Sequence, residues 1–363
     1  MTDRLSILLT GATGLIGRGV LAALRADPRV ERVYALVRPG SLLAVGEAGH
    51  TPRVIAVTAD LTKPCAGIGP AERWRLAADV TTVVHLAANT SFSQSLDDAR
   101  AVNRDGTAHL LDLAEHWPRL SRWVHVSTAF VAGQRTGAVR ETDEANVADT
   151  WVNAYEQSKA EAEVLVRRAR RDWVIARPST VVCDDTTGRI TQMNAVHRAL
   201  RLYFGGLAAM LPGADDSALD VVTAAFVTRG VARLALGGGS AGAVYHLCAG
   251  GGAMPLDELL DLTHDAFARS AAWRRRGIAR PLRTDLETYR VFERAVDDVG
   301  SERVRRAVRS LAFFVPQLAY PKQFDTANAD ALLGDRAPAV REFWTSMVEQ
   351  LAGADQSSAR EVA

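Results

Sequence analysis

Tyr155 and Lys159 stand four residues apart in the stretch Asn153-Ala154-Tyr155-Glu156-Gln157-Ser158-Lys159. On a helix that spacing is about one turn, so phenol and ammonium project from one face. An ammonium beside a phenol favours the phenolate and draws its pKa below the usual value of about 10. Tyr155 is therefore expected to exchange a proton near neutral pH; the alternative is a surface helix pair. The residue type at 159 is informative, because the chain holds only three lysines (Lys63, Lys159 and Lys322) against 40 arginines. Where Arg serves almost everywhere, a Lys suggests that a planar guanidinium would not do. Two hydroxyls, Ser127 and Thr128, close the apolar run Arg122–Val126 about thirty residues upstream. They could hydrogen-bond a carbonyl oxygen together with the phenol, or simply cap a strand end.

These side chains need a frame. Leu5-Ser6-Ile7-Leu8-Leu9-Thr10 reads as a buried strand, followed by Gly11, Gly14 and Gly17 and then helical periodicity over Arg18–Arg25. A strand feeding a glycine turn into a helix suits a dinucleotide pyrophosphate: glycines let the backbone approach, and the helix start offers N–H groups. The second strand, Arg32–Val37, runs into Arg38-Pro39-Gly40 with no Asp or Glu at its end. A carboxylate there would bind a ribose 2′-hydroxyl, whereas Arg38 suits a 2′-phosphate, so the expected cofactor is NADPH. Val54–Val57 is a third strand closed by Ala59-Asp60-Leu61, where Asp60 either accepts from an adenine amino group or caps a turn. Thr82–Ala88 reads as a fourth strand, with Leu86, Ala87 and Ala88 small enough to lie against a cofactor and His85 as a satisfied core histidine. A helix over Val102–Ala114, the fifth strand Arg122–Val126 and a sixth at Asp172–Ala176 follow.

Strands alternating with helices predict an α/β fold, a Rossmann-type doubly wound parallel sheet over residues 1–182. The pattern then changes. Residues 183–351 read as a smaller, mostly helical C-terminal substrate lobe, with about 220–248 returning to the core and a last strand at Ala243–Leu247. Phe313–Tyr320 is apolar enough to wall a lipophilic pocket. Arg274–Arg276 and later arginines are either an anionic docking face or a solvated helix surface. Residues 352–363 read as a disordered tail.

Composition bounds the rest. Hydrophobic residues at 48% and charged residues at 23% fit a soluble globular protein, and a net charge of +1 argues against nucleic-acid binding. Cys65, Cys183 and Cys248 are odd in number and widely spaced, which suggests reduced thiols in a cytoplasmic protein and no metal site. The run Leu5–Leu9 is too short for a signal segment, and no stretch reaches the ~20 apolar residues of a membrane span.

Taken together, Thr10-Gly11-Ala12-Thr13-Gly14-Leu15-Ile16-Gly17, Asp60-Leu61, His85-Leu86-Ala87-Ala88, Asn103, Ser127-Thr128, Tyr155/Lys159 and Arg177-Pro178 resemble the extended short-chain dehydrogenase/reductases. Ala35-Leu36-Val37-Arg38, Ala87–Phe92, His125–Val131 and Tyr155–Glu161 look most like the fatty acyl-CoA reductases and thioester reductase domains of that branch. The resemblance implies that Gly11, Thr13, Gly14, Leu15, Ile16, Gly17, Arg38, Asp60, Leu61 and Leu86–Ala88 hold the cofactor, with Pro178 and Val181 near its nicotinamide. It makes Thr128 the hydroxyl that orients the substrate carbonyl and Tyr155 the proton donor. Lys159 is then the residue that lowers the phenol's pKa and binds the nicotinamide ribose. The implied reaction is hydride transfer from NADPH to an acyl thioester on CoA or an acyl-carrier protein, giving aldehyde or alcohol. The stretch from Arg38 to Val54 is shorter than is usual in these reductases. Ser179 stands where they tend to carry Gly, and Asp220-Val221-Val222-Thr223 lacks their usual proline. A ketone/alcohol dehydrogenase, a nucleotide-sugar epimerase and a non-catalytic NADP-sensing protein are the alternatives.

Overall fold

In the computed structural model, residues 4–41, 53–145, 150–169, 172–312 and 314–361 are described. Seven strands form one parallel sheet: β1 (Leu5–Thr10), β2 (Val30–Val37), β3 (Arg53–Thr58), β4 (Thr82–His85), β5 (Arg122–Val126), β6 (Trp173–Pro178) and β7 (Val244–Leu247). Their order across the sheet is β7-β6-β5-β4-β1-β2-β3. The chain winds outward from β1 to β3, then crosses back to β4 and winds the other way. The crevice between the carboxyl ends of β1 and β4 is thus the topological switch point, where open α/β sheets bind ligands.

The apolar runs of these strands are near-continuous because both faces are covered. Ile7, Leu9, Val33, Val84, Val124 and Val174 pack into one core with α1 (Leu15–Ala26) and α7 (Ala224–Ala235). The alternate residues Leu8, Tyr34, Val83, Trp123 and Ile175 pack on the other face, against α2 (Pro70–Asp79), α4 (Asp105–Ala114) and α5 (Ala154–Arg168). One-residue alternation along each strand therefore sorts side chains between two hydrophobic layers.

Three segments differ from the sequence reading. The fourth strand ends at His85, so Leu86–Ala88 leave the sheet edge as a loop. The helix expected over Val102–Ala114 is two, α3 (Leu96–Asn103) and α4, broken at Arg104. At the break the Asn103 amide holds Asn89 N and O at 2.8 and 3.0 Å and Ser158 Oγ at 2.9 Å. At the C-terminus, α13 (Val340–Glu361) continues where a tail was expected, and Leu351 and Ala352 are buried.

The lobe carries α6 (Ala195–Phe204), α8 (Leu256–Ala268), a one-turn α9 (Ala271–Arg274), α10 (Leu286–Val299), α11 (Glu302–Leu311), α12 (Ala327–Leu333) and α13. Short parallel pairs stitch it to the core: Val221–Thr223 lies beside Thr180–Cys183, and Lys322–Phe324 beside Gly137–Val139. No helix among the described residues is long and apolar enough to cross a membrane.

Candidate active site

The turn after β1 is shaped by contact as well as by backbone freedom. Gly11 has φ +72°, and a Cβ there would stand 2.9 Å from Ala87 N and 3.0 Å from Leu86 C. Gly17 presses its Cα against the same turn, where a Cβ would fall 1.9 Å from Gly11 O. Thr10 locks this turn to the β4 exit, its Oγ1 accepting from Leu86 N and Ala87 N at 3.1 and 2.9 Å. At the start of α1 no side chain caps the helix and no acidic residue occupies the first turn. Thr13 and Gly14 are exposed, and Leu15 and Ile16 partly so. A helix start left bare in this way attracts an anion. At the end of β2, Arg38 is exposed, and its side chain pairs with no carboxylate among the described residues. This set fits a nicotinamide dinucleotide.

Asp60 caps a turn: its Oδ1 accepts from Thr62 N and Thr62 Oγ1 at 3.1 and 2.7 Å, which holds its pKa down, while its Oδ2 lies 3.6 Å from Lys63 Nζ. Leu61 packs beside Gly106. His85 is a core histidine with both ring nitrogens engaged, to Thr10 Oγ1 at 2.8 Å and Thr107 Oγ1 at 3.0 Å. Because Thr107 donates to Asn103 O at 2.6 Å, it accepts from His85 Nε2–H, and Thr10 donates to Nδ1. Burial, helped by the Lys159 charge, lowers the His85 pKa to about 3, so this network is neutral.

Tyr155 and Lys159 lie in the first turns of α5, which Asn153 caps by accepting from Glu156 N at 3.0 Å. Phe92 shields the phenol, with ring centroids 5.6 Å apart, and Phe314 stacks on Phe92 at 6.4 Å. Of the two hydroxyls, Thr128 is the one that acts on the Tyr155 phenol, whereas Ser127 acts on the Glu163 carboxylate. Glu163 is itself buried against Arg177, with two hydrogen bonds at 2.9 and 2.7 Å. Pro178 and Val181 are partly exposed on the run that follows Arg177, and Pro178 O lies 3.5 Å from Thr128 Oγ1.

The expected acidic phenol is not what the structure shows. Burial pushes the Tyr155 pKa up to about 12, partly offset by the Thr128 hydroxyl, with Glu156 raising it further. Lys159, only 2% exposed, aims its Nζ at Val126 O, 2.8 Å away, and at His125 Nε2, 3.4 Å away. Burial lowers its own pKa to about 8. Spacing therefore placed both groups on one face, while desolvation overrode the anticipated pairing.

Sequence reasoning missed Glu156. It is buried, accepts from Val152 N, Asn153 Nδ2 and Gln317 Nε2 at 3.1, 2.9 and 2.9 Å, and its pKa rises with burial to about 7. Its position one residue after Tyr155 was the available signal; its partner Gln317 had none. The arginines of the lobe mostly serve locally. Arg276 donates to Phe204 O and Gly205 O at the end of α6, Arg274 donates to the Ala268 carbonyl, and Arg309 pairs with Asp297. Phe313 of the expected pocket wall lies outside the described residues; Phe314, Gln317, Leu318 and Tyr320 line a cavity.

Residues 9–231 match the family model of NAD-binding type described as Male sterility protein. The chain belongs to that family. Proteins similar to it include fatty acyl-CoA reductases and PKS-NRPS synthetases, and its structural neighbours include terminal reductase domains. The chain is 32% identical over 246 residues to the hybrid PKS-NRPS synthetase mpsA of Macrophomina phaseolina, covering 65% of this chain and 6% of that protein. It is 29% identical over 228 residues to fatty acyl-CoA reductase 1 of Gallus gallus, covering 48% of this chain and 43% of that protein. It thus spans less than half the length of these relatives. Among solved structures, the terminal R domain of the myxalamid PKS-NRPS pathway superposes with TM-score 0.76 at 24% identity, over 98% of this chain and 92% of that one. The R domain of a Mycobacterium tuberculosis nonribosomal peptide synthetase gives 0.66 at 22% identity, over 97% and 93%. These two likenesses show a shared fold.

Among the described residues no cluster of His, Cys, Asp and Glu is arranged to hold a metal, and the three cysteines are free thiols.

Proposed function

We propose that this protein uses NADPH to reduce an acyl thioester, carried on CoA or on an acyl-carrier protein, to the aldehyde, and onward to the alcohol by a second cycle. The observation that carries this reading is Tyr155, covered by Phe92, on the same helix as Lys159, whose Nζ reaches Val126 O at the carboxyl end of β5, in a chain whose β1 feeds an uncapped, anion-ready glycine turn. A donor pushed to about 12 keeps its proton at neutral pH, which suits reduction.

Gly11, Gly14 and Gly17 would admit the pyrophosphate, Arg38 the 2′-phosphate, and Lys159 the nicotinamide ribose. Bound in this way, the reduced nicotinamide supplies the hydride. Thr128 and Tyr155 would both hydrogen-bond the thioester carbonyl oxygen, and their bonds strengthen as negative charge develops there. Tyr155 would then give that oxygen its proton. Carbon–sulfur cleavage releases thiol and aldehyde, so one thioester, one NADPH and one proton yield one aldehyde, one thiol and NADP⁺. Support from sequence comes from relatives named as fatty acyl-CoA reductases and PKS-NRPS synthetases.

The test is NADPH oxidation with matched acyl-CoA, carrier-bound acyl, aldehyde and ketone substrates. Thioester-dependent oxidation with aldehyde formed is expected, and Tyr155→Phe should lower kcat by about 10²–10⁴-fold. Turnover of ketones alone, or an undiminished Tyr155→Phe, would overturn the reading.

A further inference from the structure

Two of the three lysines are buried. Lys159 belongs to the site above; Lys322, 8% exposed, lies in the strand Lys322–Phe324 and has no part in it so far. Its Nζ donates to Gln317 Oε1 at 3.1 Å and to Tyr320 O at 2.9 Å, which accounts for two of its three protons. Lys322 also lines a cavity of about 30 Å³, together with Gln317, Asp220, Phe130 and Phe314. That volume admits a small polar group and excludes an aliphatic chain.

The cavity borders the catalytic turn by three short links. Phe314 stacks on Phe92, which covers Tyr155. Phe130 N donates to Thr128 Oγ1 at 3.3 Å. Gln317 Nε2 donates to Glu156 Oε1 at 2.9 Å, one residue from the phenol. The polar end of the cavity thus adjoins the residues that surround Tyr155.

Charge decides what this end would take. Asp220 lines the same cavity, its two oxygens accepting from Ala249 N and Gly250 N at 2.8 and 2.9 Å, and Glu156 stands behind Gln317. An anionic group would meet the Lys322 ammonium, with the Arg135 charge near it, and the two carboxyl groups of Asp220 and Glu156, so attraction and repulsion oppose each other there. A neutral acceptor takes the remaining N–H of Lys322 without that repulsion. Gln317, its Oε1 taken by Lys322 and one Nε2–H by Glu156, keeps a second N–H that suits the same neutral acceptor.

We propose that Lys322 determines acyl-chain specificity: it donates to a neutral carbonyl oxygen on the acyl group, so the preferred thioester carries an amide or keto oxygen beyond the reacting carbonyl. This rests on the thioester reading above. The experiment uses N-acetylcysteamine thioesters of equal chain length, one plain alkanoyl, one with a keto oxygen, one with an amide oxygen and one with a terminal carboxylate. The readout is kcat/KM with NADPH. The unaltered protein should favour the keto or amide member over the alkanoyl by about tenfold or more, as a hydrogen bond to a charged donor gives. Which of the two leads distinguishes the source of the oxygen. Lys322→Met keeps the stem and removes the charge, and should bring that ratio toward one. A ratio near one in the unaltered protein, or a preference for the carboxylate, overturns the proposal whether or not the variant folds. So does a Lys322→Met protein in which every rate falls by the same factor, the mark of a structural role. If ketones are turned over but no thioester is, the thioester reading has failed, and this inference with it.

Discussion

Replacing Gly14 and Gly17 one at a time separates a glycine the fold needs from a glycine a nucleotide needs. A Cβ on Gly17 would fall 1.9 Å from Gly11 O, so α1 must retreat by more than an ångström to reach an allowed contact. Overpacking of that kind costs about 1–3 kcal/mol, several degrees of melting temperature at ~2–4 °C per kcal/mol. Gly14 differs. Its backbone, at φ −74° and ψ 171°, is open to alanine, and a Cβ would meet only Gly11 O at 3.4 Å. The protein alone should lose no more than about 1 kcal/mol, the difference between Gly and Ala at a helix N-cap.

Melting with and without NADPH then reads the site. At a hundredfold excess over Kd a ligand stabilises by about 2.7 kcal/mol; if the new methyl weakens binding a hundredfold, the same concentration gives only about 0.4 kcal/mol. Gly14→Ala should thus melt close to the parent without nucleotide and lose nearly all of the NADPH increment. Gly17→Ala should melt lower under both conditions. A Gly14→Ala protein that keeps the full increment would refute the pyrophosphate cradle, because the added methyl would then share its space with nothing.

Arg38→Ala should raise the Kd for NADPH by about tenfold or more and leave NADH unchanged; equal losses for both, by fluorescence titration, would remove the 2′-phosphate role. Lys159 has its pKa lowered to about 8, so the ammonium is lost at a lower pH than in free lysine. Log kcat/KM for NADPH, which reports the free enzyme, should turn down near pH 8; a flat profile to pH 10 contradicts a charged Lys159 at the ribose. Glu156, raised to about 7 by burial, gives the opposite of the usual carboxylate behaviour. The unfolded chain ionises first, so stability is full below the ordinary carboxylate range and is lost as pH rises toward 7. Relative to the parent, Glu156→Gln should gain stability between pH 5 and 7 in urea titrations, by at most about 3 kcal/mol; a constant difference would mean that Glu156 stays ionised throughout.

Much of this architecture was legible in the sequence, for a physical reason. A parallel sheet covered on both faces demands runs such as Ile7-Leu8-Leu9 and Thr82-Val83-Val84, which stand out in any composition. The glycine turn was legible because its spacing is a steric requirement along one strand–turn–helix unit. What could not be read were contacts across long separations. Gln317 and Glu156 meet over 161 positions, and Glu141, just after the strand Gly137–Val139, reaches the start of α12 at Asn328 N, 2.5 Å away. No local pattern encodes such pairs. The contacts of Asn103 were hidden for the same reason: its side chain, on the last residue of α3, reaches Asn89 and Ser158, partners that only the folded chain brings near. The rarity of lysine was the one compositional trace of a buried site at Lys322.

The phenol is where spacing and energetics part. Four residues determine which face Tyr155 and Lys159 share, but an ammonium acts on a phenol only in proportion to the dielectric and geometry between them. In the folded chain Lys159 spends its hydrogen bonds on Val126 O and His125, and burial acts on both groups by disfavouring their charged forms. One therefore becomes a weaker acid and the other a weaker base. For a group meant to attack, that would be a defect. For a group meant to hold a proton until an alkoxide oxygen appears, it is suitable, because the alkoxide is the stronger base and takes the proton downhill. Reduction is thus the direction that this desolvated pair favours. Oxidation of an alcohol would require Tyr155 to be ionised beforehand, and the reverse reaction should accelerate with pH well beyond neutrality.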